Sequence, residues 1–158
     1  MRVVREDPKN PAVLYAGTEY GAFVSLDRGA RWTRLGGLPP VIVDDLAIHP
    51  REHDLVIGTH GRSLWIVDDA SPLAALTPEI AAKPLHLFAP QPAHGSYRLR
   101  GWVESNGGAV YRGENPPEGA GINDWIGGPV NGPVTLEGLT RDGQRVRRSS
   151  TAGPPHPI

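Results

Sequence analysis

The stretch Ser25-Leu26-Asp27-Arg28-Gly29-Ala30-Arg31-Trp32 decides how this chain folds, because it has the pattern of a tight corner between two β-strands. The flanking segments, residues 22–25 and 31–35, are rich in the β-branched and aromatic residues that paired strands favour. Within the corner, the Asp27 carboxylate can accept hydrogen bonds from backbone N–H groups of the turn. Gly29 supplies a position at which a positive φ is sterically permitted. The stretch therefore predicts a hairpin corner.

Two further residues of the corner suit a structural role. The Ser25 hydroxyl can add a hydrogen bond, and Trp32 offers a large apolar surface to pack beside the next sheet. The resulting spacing, S-x-D-x-G-x-x-W, resembles the Asp-box, or bacterial neuraminidase repeat (BNR), of sialidase-like and sortilin-like β-propellers. The resemblance implies that Ser25, Asp27, Gly29 and Trp32 are a folding device on the outer side of a propeller, away from any active centre.

Composition limits the class of protein. The 158 residues include 17 prolines, 20 glycines and 39% hydrophobic residues, which indicates an all-β fold of many short strands. A net charge of −1 gives no reason to expect nucleic acid as a partner. The absence of cysteine excludes disulfides and thiolate metal sites, and no apolar run is long enough to insert into a membrane. We expect neither a metal nor a cofactor.

An internal repeat organises the first part of the chain. At an offset of about 41 residues, four positions recur: Leu14, Gly17, Thr18 and Asp27 match Leu55, Gly58, Thr59 and Asp68. This period is within the range of β-propeller blades. We therefore predict that residues 1–90 form about two four-stranded blades of an incomplete propeller.

The second copy of the repeat lacks the corner motif and instead carries helix signals. Ser71 is placed as an N-cap with Pro72 at the first helical position, and Thr77-Pro78-Glu79 repeats the pattern. These signals predict a short helical segment near residues 72–82. The apolar residues 85–90 are then expected to return as a strand and complete the second blade.

The C-terminal part has a different sequence pattern from the repeat. Alternating segments around residues 134–137 and 145–146 flank Asp142-Gly143, a pair that favours a type I′ hairpin turn. We interpret residues 91–150 as a partial immunoglobulin-like β-sandwich. The proline-rich residues 151–158 are expected to be a disordered tail.

Longer segments carry a wider resemblance. Residues 5–19 and 48–69 resemble a large bacterial group of secreted propeller proteins, called sortilin-like or Asp-box glycosyl hydrolases. Residues 113–117 and 134–137 resemble the small β-domain that follows the propeller there. The resemblance implies a periplasmic or extracellular parent protein that binds peptides or proteins. With only about two blades, the chain is expected to be a fragment that self-associates when expressed alone.

Two sets of residues are candidates for binding. His60 and Arg62 follow a strand and could bind a carboxylate or a peptide carbonyl, or else bond to neighbouring loops. Asp68 and Asp69, like the pair Asp44-Asp45, lie at a strand boundary. Paired carboxylates can hold Ca²⁺ or hydrolyse glycosides, but at strand ends they more often cap turns.

Two functions follow from these patterns. The first is a non-catalytic protein- or peptide-interaction module of an exported Asp-box propeller. The alternative is a fragment of a sialidase-like or other glycoside hydrolase whose catalytic residues lie mostly outside this chain. Tyr15, Glu19, Tyr20 and Arg62 supply residue types that a sialidase uses, but their spacing does not predict that they converge. We therefore assign no catalytic residue, and His49 and His53 have only a loose resemblance to metal-ligand spacing.

Overall fold

The computed structural model describes residues 1–93 and 119–152. Antiparallel sheets dominate, with two short helices, and the predicted all-β class is confirmed. The elements in chain order are β1 (Val3–Glu6), β2 (Leu14–Thr18), β3 (Gly21–Ser25), β4 (Thr33–Arg34), β5 (Val43–Ile48), β6 (Leu55–Thr59), β7 (Leu64–Val67), α1 (Ser71–Ala75), α2 (Pro78–Ala81), β8 (Leu85–Leu87), β9 (Asp124–Ile126), β10 (Thr135–Leu139) and β11 (Arg145–Ser150).

The first sheet is a four-stranded antiparallel meander in the order β1-β2-β3-β4. Its central strand β2 is largely buried, as the apolar sequence of that strand requires. Strand β4 has only two residues, Thr33 and Arg34, where the sequence predicts strand over 31–35. The corner explains part of this shortening, because the Arg31 N–H donates to the Asp27 carboxylate rather than to a neighbouring strand.

The second sheet has three strands among the described residues, in the order β5-β6-β7, instead of the predicted four. Strand β6 lies 41 residues after β2 at both of its ends, as the repeat predicts. The strand expected to complete this sheet, β8, pairs with β9 instead. Helices α1 and α2 separate β7 from β8, and the Phe88 N–H donates to the Asn123 carbonyl at 3.0 Å, extending the β8–β9 pairing.

The two sheets lie face to face and share one hydrophobic core. Buried residues of both sheets and their connections form a single cluster: Val13, Tyr15, Ala22, Val24, Leu38, Val43, Leu46, Leu55, Ile57 and Ala70. The closest approach is at Gly17, where a Cβ would lie 2.6 Å from Val3 Cγ1 and 2.7 Å from Val43 Cγ1. Only glycine lets the first strand of the second sheet come this near to β2.

Both helices lie in the predicted segment, but only one begins as expected. Thr77 caps α2, since its hydroxyl accepts a hydrogen bond from the Ile80 N–H at 3.3 Å. Helix α1 is capped by Ala70 rather than Ser71 and has no side-chain cap. The Ser71 hydroxyl, which was predicted to cap this helix, donates to the Asp69 carboxylate in the preceding turn instead.

The hairpin β10–β11 forms as the sequence indicates, with a different turn. Gly143 has a φ of +85° and its N–H donates to the Thr140 carbonyl at 3.0 Å, whereas Asp142 does not have a positive φ. This is a type I turn followed by a left-handed glycine, not the predicted type I′ turn, which requires two positive φ values. Within residues 119–152, β10 and β11 pair only with each other. The resemblance at residues 113–117 and most of the predicted tail, residues 153–158, lie outside the described residues.

Candidate functional site

The corner between β3 and β4 is held by two side chains that satisfy one another. The Ser25 hydroxyl donates to the Asp27 carboxylate at 2.9 Å and accepts from the Gly29 N–H at 2.8 Å. Asp27 also accepts from the Arg31 N–H at 2.8 Å. The Arg31 N–H, and after it the Ser25 hydroxyl, hold the pKa of Asp27 below its usual range. The carboxylate is therefore ionised and fully engaged in the turn, as a structural role requires.

The remaining residues of the corner fit its backbone. Arg28 and Gly29 have consecutive positive φ values of 58° and 89°, a conformation that glycine adopts without strain. A Cβ at Gly29 would lie 3.6 Å from Trp32 Cζ2, so the indole packs over its own corner. The indole thus lies against the corner that carries it, and its packing beside the next sheet stays a prediction.

The two repeat-equivalent turns, β2–β3 and β6–β7, lie at the same end of the stacked sheets. Each is closed by a threonine hydroxyl: Thr18 donates to the Gly21 carbonyl at 3.0 Å, and Thr59 donates to the Ser63 carbonyl at 2.6 Å. Exposed polar and aromatic side chains at this end include Glu19, Tyr20, Asp44, His60 and Arg62. We call these five residues the rim.

Ion pairs hold some side chains of the rim in place and leave others exposed. Asp44 lies 2.9 Å from the Arg2 guanidinium and 3.2 Å from His60 Nδ1, so His60 is held in place. The Arg62 carbonyl accepts a hydrogen bond from Trp65 Nε1 at 2.9 Å, which fixes the Arg62 backbone. The Arg62 guanidinium is solvent-exposed and bonds to no residue in the described part of the chain. Among the described residues it is therefore an unpaired cation at the rim.

The other two candidate binding residues lie elsewhere. Asp68 and Asp69 follow β7, whereas His60 and Arg62 precede it, so a strand of about 13 Å separates the two pairs. Asp69 accepts from Asn123 Nδ2 at 2.9 Å and from the Ser71 N–H at 3.2 Å. Partial burial, and after it the Asp54 carboxylate, raise the pKa of Asp68. The structure thus joins Asp69 to a turn and does not bring the four residues into one site.

Asp44 and Asp45 also have structural partners. Each pairs with an arginine, Asp44 with Arg2 just before β1 at 2.9 Å and Asp45 with Arg5 in β1 at 2.7 Å. The pairs tie the edge of β5 to the first sheet. No group of three or more His, Asp or Glu side chains within residues 1–93 and 119–152 is arranged to hold a metal ion.

A buried polar network between the two sheets was not predicted from the sequence. His53 Nε2 lies 2.7 Å from Asp7 Oδ2, and the Tyr15 hydroxyl donates to the same oxygen at 3.2 Å. The side chains of Asp7 and His53 are fully buried. The other oxygen, Asp7 Oδ1, accepts from the Lys9 N–H at 2.8 Å and the Asn10 N–H at 3.1 Å. A buried carboxylate needs such partners.

The network also decides the role of Tyr15. Burial, and after it the charge of Asp7, raise the pKa of Tyr15 well above its usual range, so the phenol stays neutral. A fully buried hydroxyl that donates to Asp7 cannot reach a substrate. Tyr15 therefore does not serve as the nucleophile that a sialidase would need. Asp7 lies in the β1–β2 loop and His53 in the repeat-equivalent β5–β6 loop, and nothing in their spacing predicts that these two loops meet.

Comparisons with known proteins add no assignment. No family model matches the sequence, and neither the curated proteins nor the solved structures include a significant match. None of the helices in the described ranges is long and apolar enough to cross a membrane. The rim and the stacking of the sheets are therefore the features that bear on function.

Proposed function

We propose that this chain is a non-catalytic module that binds a protein or peptide, and that it belongs to an exported Asp-box β-propeller protein. The observation that carries the binding role is the exposed Arg62 guanidinium, which bonds to no residue within 1–93 and 119–152, on the same turn as the anchored His60. The propeller assignment is supported by two sheets related by a 41-residue repeat and stacked on one core. The hydrogen-bonded corner of Ser25 and Asp27 supports it further.

The chemistry of the rim indicates an acidic ligand. Arginine binds carboxylates through two parallel hydrogen bonds, a geometry that adds orientation to affinity. Tyr20, on the repeat-equivalent turn, is 73% exposed and offers a rigid aromatic surface. Arginine and tyrosine are the residue types that most often dominate binding energy at interfaces. We infer that a C-terminal carboxylate or an Asp or Glu side chain pairs with Arg62.

The residues that the structure describes do not support the alternative of a glycoside hydrolase. Tyr15 is buried, Asp27 is engaged in its corner, and Asp69 is engaged in a turn. Glycosidase chemistry needs two carboxyl groups that flank a bound sugar at a short, defined separation. Asp44 at the rim and Asp68 after β7 lie at opposite ends of the second sheet and do not meet this requirement.

Replacement of Arg62 tests the proposal. A library of random short peptides with free C termini is selected on the immobilised chain, and the Kd of each enriched peptide is measured by fluorescence anisotropy. We expect acidic peptides to be enriched, and Arg62→Ala to weaken their binding about tenfold or more, because one charge-assisted bidentate contact is lost.

Arg147→Ala is the matched control, since Arg147 is an exposed arginine on the distant strand β11. It is expected to leave the Kd unchanged. The absence of acidic peptides from the selected set, or an equal effect of both substitutions, would refute binding at the rim.

A further inference from the structure

The repeat relates the faces of the two sheets to one another residue by residue. The face of the first sheet that packs on the second includes Tyr15, Gly17, Ala22 and Val24. Between β2 and β3, Tyr15 pairs with Val24 and Gly17 pairs with Ala22. Between β6 and β7, the equivalent pairs are Val56 with Ile66 and Gly58 with Leu64. The second-sheet equivalents of the packing face are therefore Val56, Gly58, Leu64 and Ile66. We call this the trailing face.

The trailing face lies on the side of the second sheet away from the first. Leu55 and Ile57 are fully buried in the shared core, and Val56 between them must point to the opposite side, because side chains alternate along a strand. Leu64 and Ile66 on β7 are 67% and 59% exposed. The second sheet thus presents to solvent the surface that the first sheet buries.

The complementary surface is on the outside of the first sheet. Within the chain, the packing face of the first sheet meets the face that carries Leu55 and Ile57. The first-sheet equivalents of these two residues are Leu14 and Ala16, and Ala16 pairs with Val4 in β1. Val4 is 39% exposed. Leu14 and Phe23 are half-buried, and Ala16 between them is buried. We call this outer surface of the first sheet, with Val4, Leu14 and Phe23 as its accessible residues, the leading face.

We infer that a second copy of this chain is the occupant of the trailing face, and that it docks through its leading face. This contact between two copies has the same arrangement as the stacking of the two sheets within one chain. Its surfaces differ, so the contact is heterologous, and each copy keeps one face for the next. Such contacts produce closed rings or open stacks whose mass grows with concentration.

The contact between copies is more apolar than the one inside the chain. Within one chain, the Arg5–Asp45 pair and the Asp7–His53 pair join the two sheets. In the first sheet, Tyr15 pairs with Arg5. Its equivalent in the second sheet, Val56, pairs with Ala47, so the second sheet has no counterpart of the arginine. No ion pair is therefore repeated across the centre of the trailing face. We expect association that persists at high salt and is weaker than the stacking within the chain.

The test uses the whole chain and two blocking substitutions at exposed positions. Ile66→Lys places a charge on the trailing face, and Val4→Lys places one on the leading face. Sedimentation velocity across a range of concentrations is expected to show association of the unaltered chain. Each blocked variant alone is expected to need at least about a tenfold higher concentration to associate, because a lysine must be desolvated at the contact.

Mixing the two variants is the decisive step. The free leading face of Ile66→Lys should bind the free trailing face of Val4→Lys, so the mixture should form a dimer and nothing larger. Val146→Lys is the control, because Val146 is 72% exposed on β11, outside both faces. It should associate as the unaltered chain does, and circular dichroism should show that all variants remain folded.

Three results would overturn the inference: an unaltered chain that stays monomeric, blocked variants that associate unchanged, or a mixture that forms no dimer. The last two would indicate pairing of like faces or of open strand edges. The inference rests on the repeat that also underlies the proposed function, but it uses no rim residue. Failure of the mixing experiment with intact peptide binding would therefore reject the stacking alone.

Discussion

Asp7→Ala is expected to lower the free energy of unfolding by about 3 kcal/mol, since it leaves two buried polar groups without their shared partner, each at a cost of about 1–3 kcal/mol. Asp7 Oδ2 lies 2.7 Å from His53 Nε2 and accepts from the Tyr15 hydroxyl, and both Asp7 and His53 are fully buried. The substitution therefore strands an imidazole and a phenol inside the core. Urea denaturation followed by tryptophan fluorescence measures the change.

Asp45→Ala is the matched control, because Asp45 also joins the two sheets through an ion pair with Arg5 but is solvent-exposed. Screening by water limits such pairs to about 1 kcal/mol or less. Tyr15→Phe removes only one hydrogen bond of the network and should cost about 1 kcal/mol, so it remains measurable if Asp7→Ala does not fold. Equal effects of Asp7→Ala and Asp45→Ala would show that the buried network does not hold the sheets together.

Gly17→Ala is expected to lower the free energy of unfolding by about 1–3 kcal/mol, the usual cost of overpacking a core. A Cβ at this position would lie 2.6 Å from Val3 Cγ1 and 2.7 Å from Val43 Cγ1, so either β1 or β5 must move. The φ of Gly17 is not in the positive range, and the cost is therefore steric. The same denaturation measurement applies.

Gly58→Ala provides an unusually close control, because Gly58 is the repeat equivalent of Gly17. A Cβ at Gly58 would lie 3.5 Å from the Asp45 carbonyl oxygen, an ordinary contact. Its effect should fall below about 0.5 kcal/mol and could be slightly stabilising, since glycine weakens a strand. If the two alanine variants were equally stable, β5 would not approach β2 as closely as the structure has it.

Local features of this fold could be read from the sequence. The corner at Ser25 and Asp27 forms because its donors and acceptors lie within a few residues of one another, so spacing alone specifies it. The same holds for the cap of α2 by Thr77. The 41-residue repeat was visible because equivalent strands need the same apolar pattern.

Features that depend on distant pairing could not be read in this way. The sequence does not state that Asp7 meets His53, 46 residues away, because that contact exists only after the sheets stack. Likewise, β8 pairs with β9 rather than β7, a choice between edges that short apolar segments do not specify.

The candidate binding residues include some whose positions could be predicted from the sequence and some whose positions could not. Arg62 was predicted as a binding residue from its position on a turn, and the structure leaves its guanidinium exposed. Asp68 and Asp69, a second candidate set only a few residues further along the chain, lie at the other end of β7. Proximity along a chain does not bring side chains together when an extended segment lies between them.

The stacking of the two repeat-equivalent sheets places Gly17 of β2 against Val43 of β5. A nuclear Overhauser experiment on the methyl-labelled chain tests it directly. The structure predicts a strong cross-peak between the Val43 methyl groups and the Gly17 Hα protons, alongside one from the Val3 methyls within the first sheet. A spectrum with the Val3 cross-peak and without the Val43 cross-peak would contradict the stacking.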